Sequence, residues 1–347
     1  MEPRTKKSRQ WMLIVAGLVI LGALLARSLS QNPEWKAFQW PVFLDSILNV
    51  DKGWAAWALV AVYSTYLVRA LRWRVIMHHV KPHARLWNLF SATVIGFAAI
   101  GLFGRAGEMA RPYLVARKEQ VSVSGQVAVW LVERWFDTLT LLVTGAFALS
   151  TLDAAALRAS PALARLFHVG GAIVAAATLA SILFLFVMRK YARPLTDWIV
   201  ARLPHRLARL APTLRAFEEG TRGVRDIRIL ILCSLYSLAE WILIAMCYAA
   251  VFNAFSGGLR LTLGQTLIFM GCVMAGSMIN VPGVGGGIQV ASLLVLTELF
   301  GLRPELAASI SLLIWIFTFL VVIPAAIPLM LYEGLSWAKL RRLPSED

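Results

Sequence analysis

The chain has 347 residues, of which 59% are hydrophobic and only 15% are charged. Soluble domains carry about 25% charged residues, so this composition excludes an ordinary soluble enzyme and indicates a membrane protein. The net charge of +15 does not indicate nucleic-acid binding, because the basic residues cluster between apolar runs, as in cytoplasmic loops of membrane proteins. The cysteines (Cys233, Cys247 and Cys272) and the scattered histidines show no metal-ligand spacing, so we expect neither a metal nor a cofactor.

The first half of the chain, residues 1–188, opens with two predicted membrane spans. Basic residues precede the apolar run Trp11 to Leu29, which is about 28 Å long as a helix and therefore long enough to cross a bilayer. The second span, Trp54 to Trp73, ends in a run of arginines. Positive residues concentrate on the cytoplasmic side, so we expect the N-terminus and the loop after the second span to lie there.

A charged motif follows the next apolar run, Leu86 to Phe103. Its residues Arg105, Glu108 and Arg111 are spaced three apart and would share one helix face, and Pro112 is expected to kink or end that helix. A full crossing would place these arginines outside, whereas a re-entrant hairpin over residues 86–118, turning at the glycines, keeps them inside. We predict the hairpin rather than the full crossing. We interpret the charges beside this membrane-length run as a functional site; the alternative is a solvated cytoplasmic cluster of charges.

A second charged group lies inside the predicted span Val127 to Ser150. On a helix, Glu133, Arg134 and Asp137 fall within about 100° of one another, and Asp137 lies about 15 Å into the segment, where an unpaired charge is costly. Two interpretations stay open: an internal ion pair that locks helices together, and a transport site, which would need the same pairing. Another span, Val169 to Met188, completes this half.

The second half, residues 229–347, repeats the outline of the first after a strongly basic segment, residues 189–228, which we predict to be a cytoplasmic loop. The part from Leu195 to Leu210 is typical of a basic amphipathic helix on the membrane surface. Spans are predicted at Ile229 to Ala254 and Ala307 to Leu331. Between them lies a predicted hairpin over residues 261–300 with a glycine-rich break at its centre.

The order span, hairpin, span in one orientation and then in the other is typical of inverted repeats, whose broken helices meet near the middle of the membrane around a substrate site. We therefore predict an all-α polytopic integral membrane protein with about six full spans and two re-entrant hairpins. The alternative is eight or more full spans, because a glycine-rich turn between two ordinary spans gives a similar pattern.

These motifs carry a resemblance to a known family. The stretch 104–112, GRAGEMARP, followed by Glu133, Arg134 and Asp137, resembles the flippase-like membrane family, which includes the transmembrane region of bacterial lysylphosphatidylglycerol synthases. The stretch 280–286, NVPGVGG, is similar to the family's second signature, and Leu71-Arg72-Trp73 resembles its early Arg-Trp element. Two residues depart from the pattern: Val284 replaces a frequent glycine, and Gln289 stands where many members have a glutamate.

The resemblance implies a lipid translocase that moves a phospholipid or a polyprenyl-phosphate lipid between leaflets of the bacterial inner membrane, with both termini cytoplasmic. The chemistry agrees with this function. Arginines bind phosphate through paired hydrogen bonds, carboxylates orient the arginines, and backbone N–H groups where a helix is interrupted add an anion site. The predicted substrate-binding residues are Arg105, Glu108, Arg111, Glu133, Arg134, Asp137, Pro282, Gly283, Gly285, Gly286 and Gly287. We expect no enzymatic activity and an anionic lipid as partner. The alternatives are a scaffold for a lipid-modifying enzyme or glycosyltransferase, docked through the basic segment, and an intramembrane enzyme acting on a lipid headgroup.

Overall fold

A computed structural model describes residues 37–150, 166–255, 259, 261–276, 280–281 and 285–333. The predicted first span, the basic C-terminus, Pro282 and Gly283 lie outside these ranges, as does the side chain of Arg105. Within them the chain is almost entirely helical, apart from one ladder of two-residue strands.

Twelve α-helices are described, and short 3₁₀ or π turns lengthen or connect several of them. The α-helices are α1 Trp40–Leu48, α2 Lys52–Ile76, α3 Leu86–Phe103, α4 Ala110–Glu119, α5 Val123–Ser150, α6 Gly171–Arg202, α7 Ala211–Thr221, α8 Ile227–Asn253, α9 Leu263–Gly276, α10 Gly287–Leu294, α11 Pro304–Trp315 and α12 Val322–Tyr332. The strands are β1 Asn280–Val281 and β2 Gly285–Gly286. The 3₁₀ turns are Met77–His79, Gly104–Met109, His205–Leu210 and Arg222–Arg225, and the π turns are Leu166–Gly170, Val295–Leu299 and Ile316–Leu320.

Five of the described helical segments are long and apolar enough to cross a membrane. They are Lys52–His79, Leu86–Phe103, His168–Arg202, Ile227–Asn253 and Pro304–Tyr332. Helix α5, although 28 residues long, is not among them; it carries the charged residues Glu133, Arg134 and Asp137. The predicted class, an all-α polytopic membrane protein, agrees with this architecture, while the number of full spans stays a prediction.

Helices α3 and α4 form a helical hairpin that reverses at the 3₁₀ turn Gly104–Met109. Near the turn, Gly107 contacts the Ala99 carbonyl. At mid-length Gly96 lies against Arg111, and at the open end Asn88 donates a hydrogen bond of 2.7 Å to Glu119. The hairpin therefore begins and ends at the same end of the molecule.

The second chain reversal joins α9 to α10 through β1 and β2. The two strands pair antiparallel, Asn280 with Gly286 and Val281 with Gly285. Gly286 has a φ of 103°, a conformation that favours glycine over residues with a Cβ atom. Strand β1 approaches the 3₁₀ turn of the first hairpin, with Cα atoms within 8 Å. The tips of the two hairpins thus meet.

The basic segment expected as a loop, residues 189–228, is largely helical. Helix α6 continues through it to Arg202 despite an internal proline, Pro194, because long basic side chains favour helix while keeping their charges away from apolar surroundings. The predicted surface helix Leu195 to Leu210 is divided between the end of α6 and a 3₁₀ turn. Helix α7 packs on the start of α5, where Gly220 contacts the Gly125 carbonyl.

Two apolar clusters hold the helices together. One joins α2 and α8 to α9, α11 and α12, and the other joins α2 to α3, α4 and α5. Lipid tails are as apolar as these interiors, so association in a bilayer depends on close packing, which small residues such as Ala58, Ala61 and Ala70 on α2 permit. Helix α2 takes part in both clusters and is the central helix of the fold.

Candidate functional site

Arg72 lies at the centre of a network of charges buried between α2, α4, α5 and α8. Its side chain is fully buried. Its Nη2 atom lies 2.7 Å from Oε1 of Glu133 and 3.1 Å from Oε2 of Glu240, and its Nη1 atom lies 2.7 Å from Oδ1 of Asp137. Nη1 also donates a 2.7 Å hydrogen bond to Ser237. One guanidinium therefore links carboxylates from two other helices.

Two more arginines contact the same carboxylates. Arg69 places Nη2 2.5 Å from Oε1 of Glu240, and Arg111 donates from Nη1 to both oxygens of Glu133 at 2.8 and 2.9 Å. Each guanidinium also lies over an aromatic ring, Arg69 over Phe97 at 4.5 Å and Arg111 over Trp73 at 4.1 Å. Cation–π contacts of this kind are strongest where water is excluded, as it is here.

Arg134 closes the network at its more accessible edge. Its Nη2 atom lies 3.6 Å from Oδ2 of Asp137, and 40% of its side chain is exposed. The buried charge cluster comprises Arg69, Arg72, Arg111, Glu133, Arg134, Asp137 and Glu240. It has four cations and three carboxylates, so it carries an excess of positive charge.

Helical spacing explains why these groups converge. Arg69 and Arg72 are three residues apart on α2, and Glu133 and Asp137 are four apart on α5, so each pair shares one helix face. Glu240 is the central residue of α8, about 20 Å from either end of that helix. The cluster therefore reaches the depth at which an unpaired charge is most costly in a bilayer.

The structure divides the motif at residues 104–112 between two elements and corrects one prediction about it. Arg105 and Glu108 lie on the 3₁₀ turn, and Arg111 lies on the first turn of α4. Pro112 does not end a helix; it lies in the first turn of α4, where the backbone N–H that proline lacks has no helical partner. Glu108 is half-buried and forms no hydrogen bond or ion pair with any residue that the structure describes.

The ion pairs inside α5 also differ from the predicted ones. One of the two open interpretations paired Arg134 with both carboxylates of its own helix; Arg134 does lie near Asp137, but Glu133 pairs with Arg72 and Arg111 from other helices. The structure thus brings together four of the predicted residues, namely Arg111, Glu133, Arg134 and Asp137. Gly285, Gly286 and Gly287 lie at the tip of the second hairpin and take part in none of the ion pairs described for these four residues.

Gln289 has a clear structural role at that second tip. Its Oε1 atom accepts a 2.6 Å hydrogen bond from the backbone N–H of Gly286, which precedes α10. The first N–H groups of a helix and of the residue before it lack helical partners, so this contact satisfies one of them. The glutamate that many members of the resembling family carry here would retain the same acceptor.

Three members of the buried charge cluster were absent from the predicted substrate-binding residues: Arg69, Arg72 and Glu240. The two arginines follow a run of apolar residues, and this pattern indicates the cytoplasmic end of a span, although both residues lie within α2. The available signal was the single acidic residue in the middle of an apolar run, Glu240, which needs a partner of opposite charge.

A second ionic contact closes the open end of the first hairpin. Lys118 donates to Ser91 at 2.5 Å and to Glu333, which directly follows α12. Burial lowers the pKa of Lys118 from its usual range, while the hydrogen bond to Glu333 opposes that shift without cancelling it. This contact attaches the hairpin to the last described helix.

The helical segments and the charges buried among them define an integral membrane protein with an ionic site between its helices. The family model for the lysylphosphatidylglycerol synthase TM region matches residues 12–326, and the chain belongs to that family. The resemblance noted from the motifs is thereby confirmed. Comparison with curated proteins and with solved structures gave no match.

Proposed function

We propose that this protein is a lipid translocase, which passes an anionic headgroup through the buried charge cluster while the lipid tails stay in the bilayer. The observation that carries the proposal is the excess of arginine in the cluster. The Nε atoms of Arg69, Arg72, Arg111 and Arg134 are buried, and none has a hydrogen-bond partner among the described residues. An entering phosphate supplies the acceptors that these donors lack.

The cluster lowers the cost of moving a charged headgroup by keeping every charge paired. A bare charge in the membrane centre costs several kcal/mol or more. Arg111 and Arg72 both pair with Glu133, so a phosphate that replaces Glu133 on Arg111 leaves the carboxylate paired with Arg72. The headgroup then exchanges partners within the cluster and is never exposed to hydrocarbon.

The proposed path runs between the two hairpin tips. We infer that both hairpins are re-entrant and belong to two inverted repeats, because each reverses the chain and their tips meet. The protein would lie in the bacterial inner membrane with both termini cytoplasmic, and the open end of the first hairpin would face the cytoplasm. Each hairpin then forms a gate on one side of the cluster.

Translocation is tested in proteoliposomes with a fluorescent phosphatidylglycerol, whose accessible fraction is measured by chemical quenching. Arg111→Gln removes a guanidinium that contacts Glu133, and we expect the rate to fall at least tenfold. Arg111→Lys keeps the charge without the paired donors and should give an intermediate rate. Arg193→Gln is the matched control, because Arg193 is exposed and lies 3.9 Å from the equally exposed Asp197. An Arg111→Gln rate equal to the control rate overturns the proposal.

The same vesicles test whether the protein is instead an enzyme. The proposed mechanism breaks and forms no covalent bond, so the lipid recovered after translocation must have an unchanged mass. A released or modified headgroup, absent from vesicles that contain Arg111→Gln, would overturn translocation as the primary activity.

The proposed orientation is tested with single cysteines in a variant that lacks Cys233, Cys247 and Cys272. His83 lies at the open end of the first hairpin, and Arg303 lies between the second hairpin and α11; both are exposed. Inverted repeats place them on opposite sides, so an impermeant thiol reagent should label His83→Cys only from the cytoplasm and Arg303→Cys only from outside. Labelling of both from one side contradicts the inverted-repeat arrangement.

A second candidate function is that of a scaffold for a lipid-modifying enzyme. The observation in its favour is the exposed basic surface formed by the end of α6 and by α7 with its preceding turn. Its exposed residues are Arg189, Lys190, Arg193, Arg202, Arg209 and Arg215. Arg209→Glu with Arg215→Glu reverses charge on this surface at a distance from the cluster. If the protein is a scaffold, this variant should no longer co-purify with the enzyme, while lipid translocation continues. If the variant still co-purifies with the enzyme, docking at this surface is contradicted.

A further inference from the structure

An apolar groove opens beside the buried charge cluster, between α5, α8 and α9. It encloses about 380 Å³, within the range of pockets that hold small molecules. Leu238, Ile242 and Met246 form its wall on α8, and Leu263 and Met270 line it on α9. Its two threonine hydroxyls, from Thr144 and Thr266, donate to carbonyls of their own helix or its preceding turn, which leaves an apolar lining.

One polar atom in this wall has no partner. Trp241 lines the groove with only 4% of its surface exposed, and its Nε1 atom forms no hydrogen bond with the described part of the chain. A buried indole N–H normally has an acceptor, because leaving it unpaired costs free energy. An occupant of the groove that reaches this indole would supply the acceptor that the N–H lacks.

The position of Trp241 connects the groove to the cluster. Trp241 follows Glu240, whose carboxylate pairs with Arg69 and Arg72. From there the lining continues along α8 from Leu238 to Ala249, a rise of about 17 Å. One leaflet of the hydrocarbon core is about 15 Å thick. The groove thus starts beside the ionic site and has the length of one lipid chain in one leaflet.

The groove opens at the outer surface of the helix bundle. Ile242, Met246 and Leu263 belong to its lining and are also exposed on the surface of the protein. Around a membrane-spanning helix such as α8, the molecules in contact with exposed apolar residues are lipids. A chain can therefore enter sideways from the bilayer.

We propose that the groove holds one acyl chain of the translocated lipid while its headgroup occupies the buried charge cluster, and that Trp241 Nε1 donates to the ester carbonyl at the start of that chain. This inference rests on the proposed function and narrows it. A polyprenyl phosphate has no ester carbonyl, so the unpaired donor favours a lipid with ester-linked chains. From the cluster, the groove runs along α8 toward its C-terminal residue, Asn253. A lipid whose headgroup enters the cluster from the N-terminal end of α8 has its tails pointing in this direction.

The test compares two phosphatidylglycerols that differ only in whether their chains are joined through esters or ethers. Binding to the purified full-length chain is measured by competition with a spin-labelled phosphatidylglycerol. We expect the ester form to bind about threefold to tenfold more tightly, the gain typical of one hydrogen bond. Trp241→Phe keeps the ring and removes the donor, so it should bind both forms equally. The control Trp57→Phe, at an exposed tryptophan on α2, should retain the preference.

A second variant tests the groove itself. Ala249→Leu adds bulk to the wall without changing a polar atom, and we expect it to weaken binding of both lipids by a similar factor. A photoreactive chain should label peptides that contain Met246 or Met270. Equal binding of ester and ether lipids by the unmodified protein overturns the carbonyl contact, and a cysteine at Met246 that cross-links two copies assigns the groove to self-association instead.

These outcomes are separable from those of the translocation assay. If lipid crosses the membrane at the normal rate in Ala249→Leu and the ester preference is absent, the groove inference is wrong and translocation stands. If the ester preference and its loss in Trp241→Phe are observed but no lipid crosses, the site stands as a lipid-binding site and the proposed function is wrong.

Discussion

Gly96 and Arg111 lie against each other where α3 and α4 cross. A Cβ atom on Gly96 would lie 2.7 Å from Cβ of Arg111 and 3.2 Å from its Cα, closer than such atoms pack. The absence of a side chain at Gly96 therefore lets the hairpin close and brings Arg111 to Glu133. An apolar helix without charges thus determines the position of a buried cation.

Gly96→Ala should separate α3 from α4 and destabilise the protein. The backbone of Arg111 cannot move without moving α4, so we expect a loss of about 1–3 kcal/mol in the free energy of unfolding, as for other overpacked positions. Gly271 is the matched control, since it lies inside α9 and a Cβ atom added there would have no described atom within 4 Å. Gly271→Ala should stabilise the protein by about 0.5–1 kcal/mol through higher helix propensity. Denaturant titration in mixed micelles measures the change in unfolding free energy for both variants. Changes of the same sign in Gly96→Ala and Gly271→Ala would contradict the close approach of Gly96 to Arg111.

Arg72→Met should be among the most destabilising single substitutions in the chain. It leaves the carboxylates of Glu133, Asp137 and Glu240 without their shared partner, and breaking a buried ion pair costs about 3–5 kcal/mol. Arg72→Lys should recover part of this loss, because one ammonium supplies the charge but cannot reach all three carboxylates.

The control for Arg72 is Arg193→Met, which breaks an exposed pair and should change stability by less than about 0.5 kcal/mol. Unfolding free energies are compared under one set of conditions. Adding Glu133→Gln to Arg72→Met should restore some stability by removing an uncompensated charge. Equal stability of Arg72→Met and Arg193→Met would show that the cluster does not hold the helices together.

The helices follow from the sequence more directly than the site does. The apolar run Leu86 to Phe103 coincides with α3, and the span predicted at Ile229 to Ala254 differs from α8 by two residues at its start and one at its end. Apolar length and flanking charges determine these boundaries locally. Ion pairing between helices is not local: nothing in the neighbourhood of Arg72 indicates that its partners lie 61, 65 and 168 positions away.

The segment at residues 189–228 shows a different limit. Its arginines indicate contact with water or headgroups, which is compatible with a loop or with a charged helix. Only the packing of α7 on α5, through Gly220 and Gly125, decides between them. Similarly, the spacing of Glu108 and Arg111 does not indicate that the first lies on a 3₁₀ turn and the second on α4.

The burial of Lys118 should make stability depend on pH in the alkaline range. Burial lowers the pKa of Lys118 below its ordinary value of 10.5, so the unfolded chain binds more protons than the folded one between the two values. Stability contributed by this residue therefore rises as the pH increases toward 10.5, because the cost of burying the charge disappears.

Lys118→Met removes the titrating group and should remove this rise. The difference in unfolding free energy between the unmodified protein and Lys118→Met is measured from about pH 8 to pH 10, and we expect it to shift in favour of the unmodified protein. Lys190→Met, at an exposed lysine on α6, serves as the control and should show the same pH dependence as the unmodified protein. Parallel curves for Lys118→Met and the unmodified protein would contradict the lowered pKa.

Gln289 should act as a cap for the second hairpin tip, and its acceptor oxygen should be the part that matters. Gln289→Leu removes the oxygen that accepts from Gly286, so we expect the Gly286 amide to exchange with solvent about threefold to tenfold faster. Gln289→Glu keeps an acceptor at the same distance and should leave exchange unchanged. Gln265→Leu is the matched control: Gln265 accepts from the Thr262 N–H before α9, so its loss should not affect Gly286.

The glutamine and glutamate forms also separate a structural role from a chemical one. A cap requires only an oxygen, so Gln289→Glu should translocate lipid at the unmodified rate while Gln289→Leu slows it. If Gln289→Glu preserves the exchange rate of Gly286 but changes the translocation rate, the charge at this position takes part in transport. Because glutamine has no proton to release, the unmodified protein would then move lipid without a titrating group at residue 289, and any coupling to protons would depend on titratable groups elsewhere in the chain.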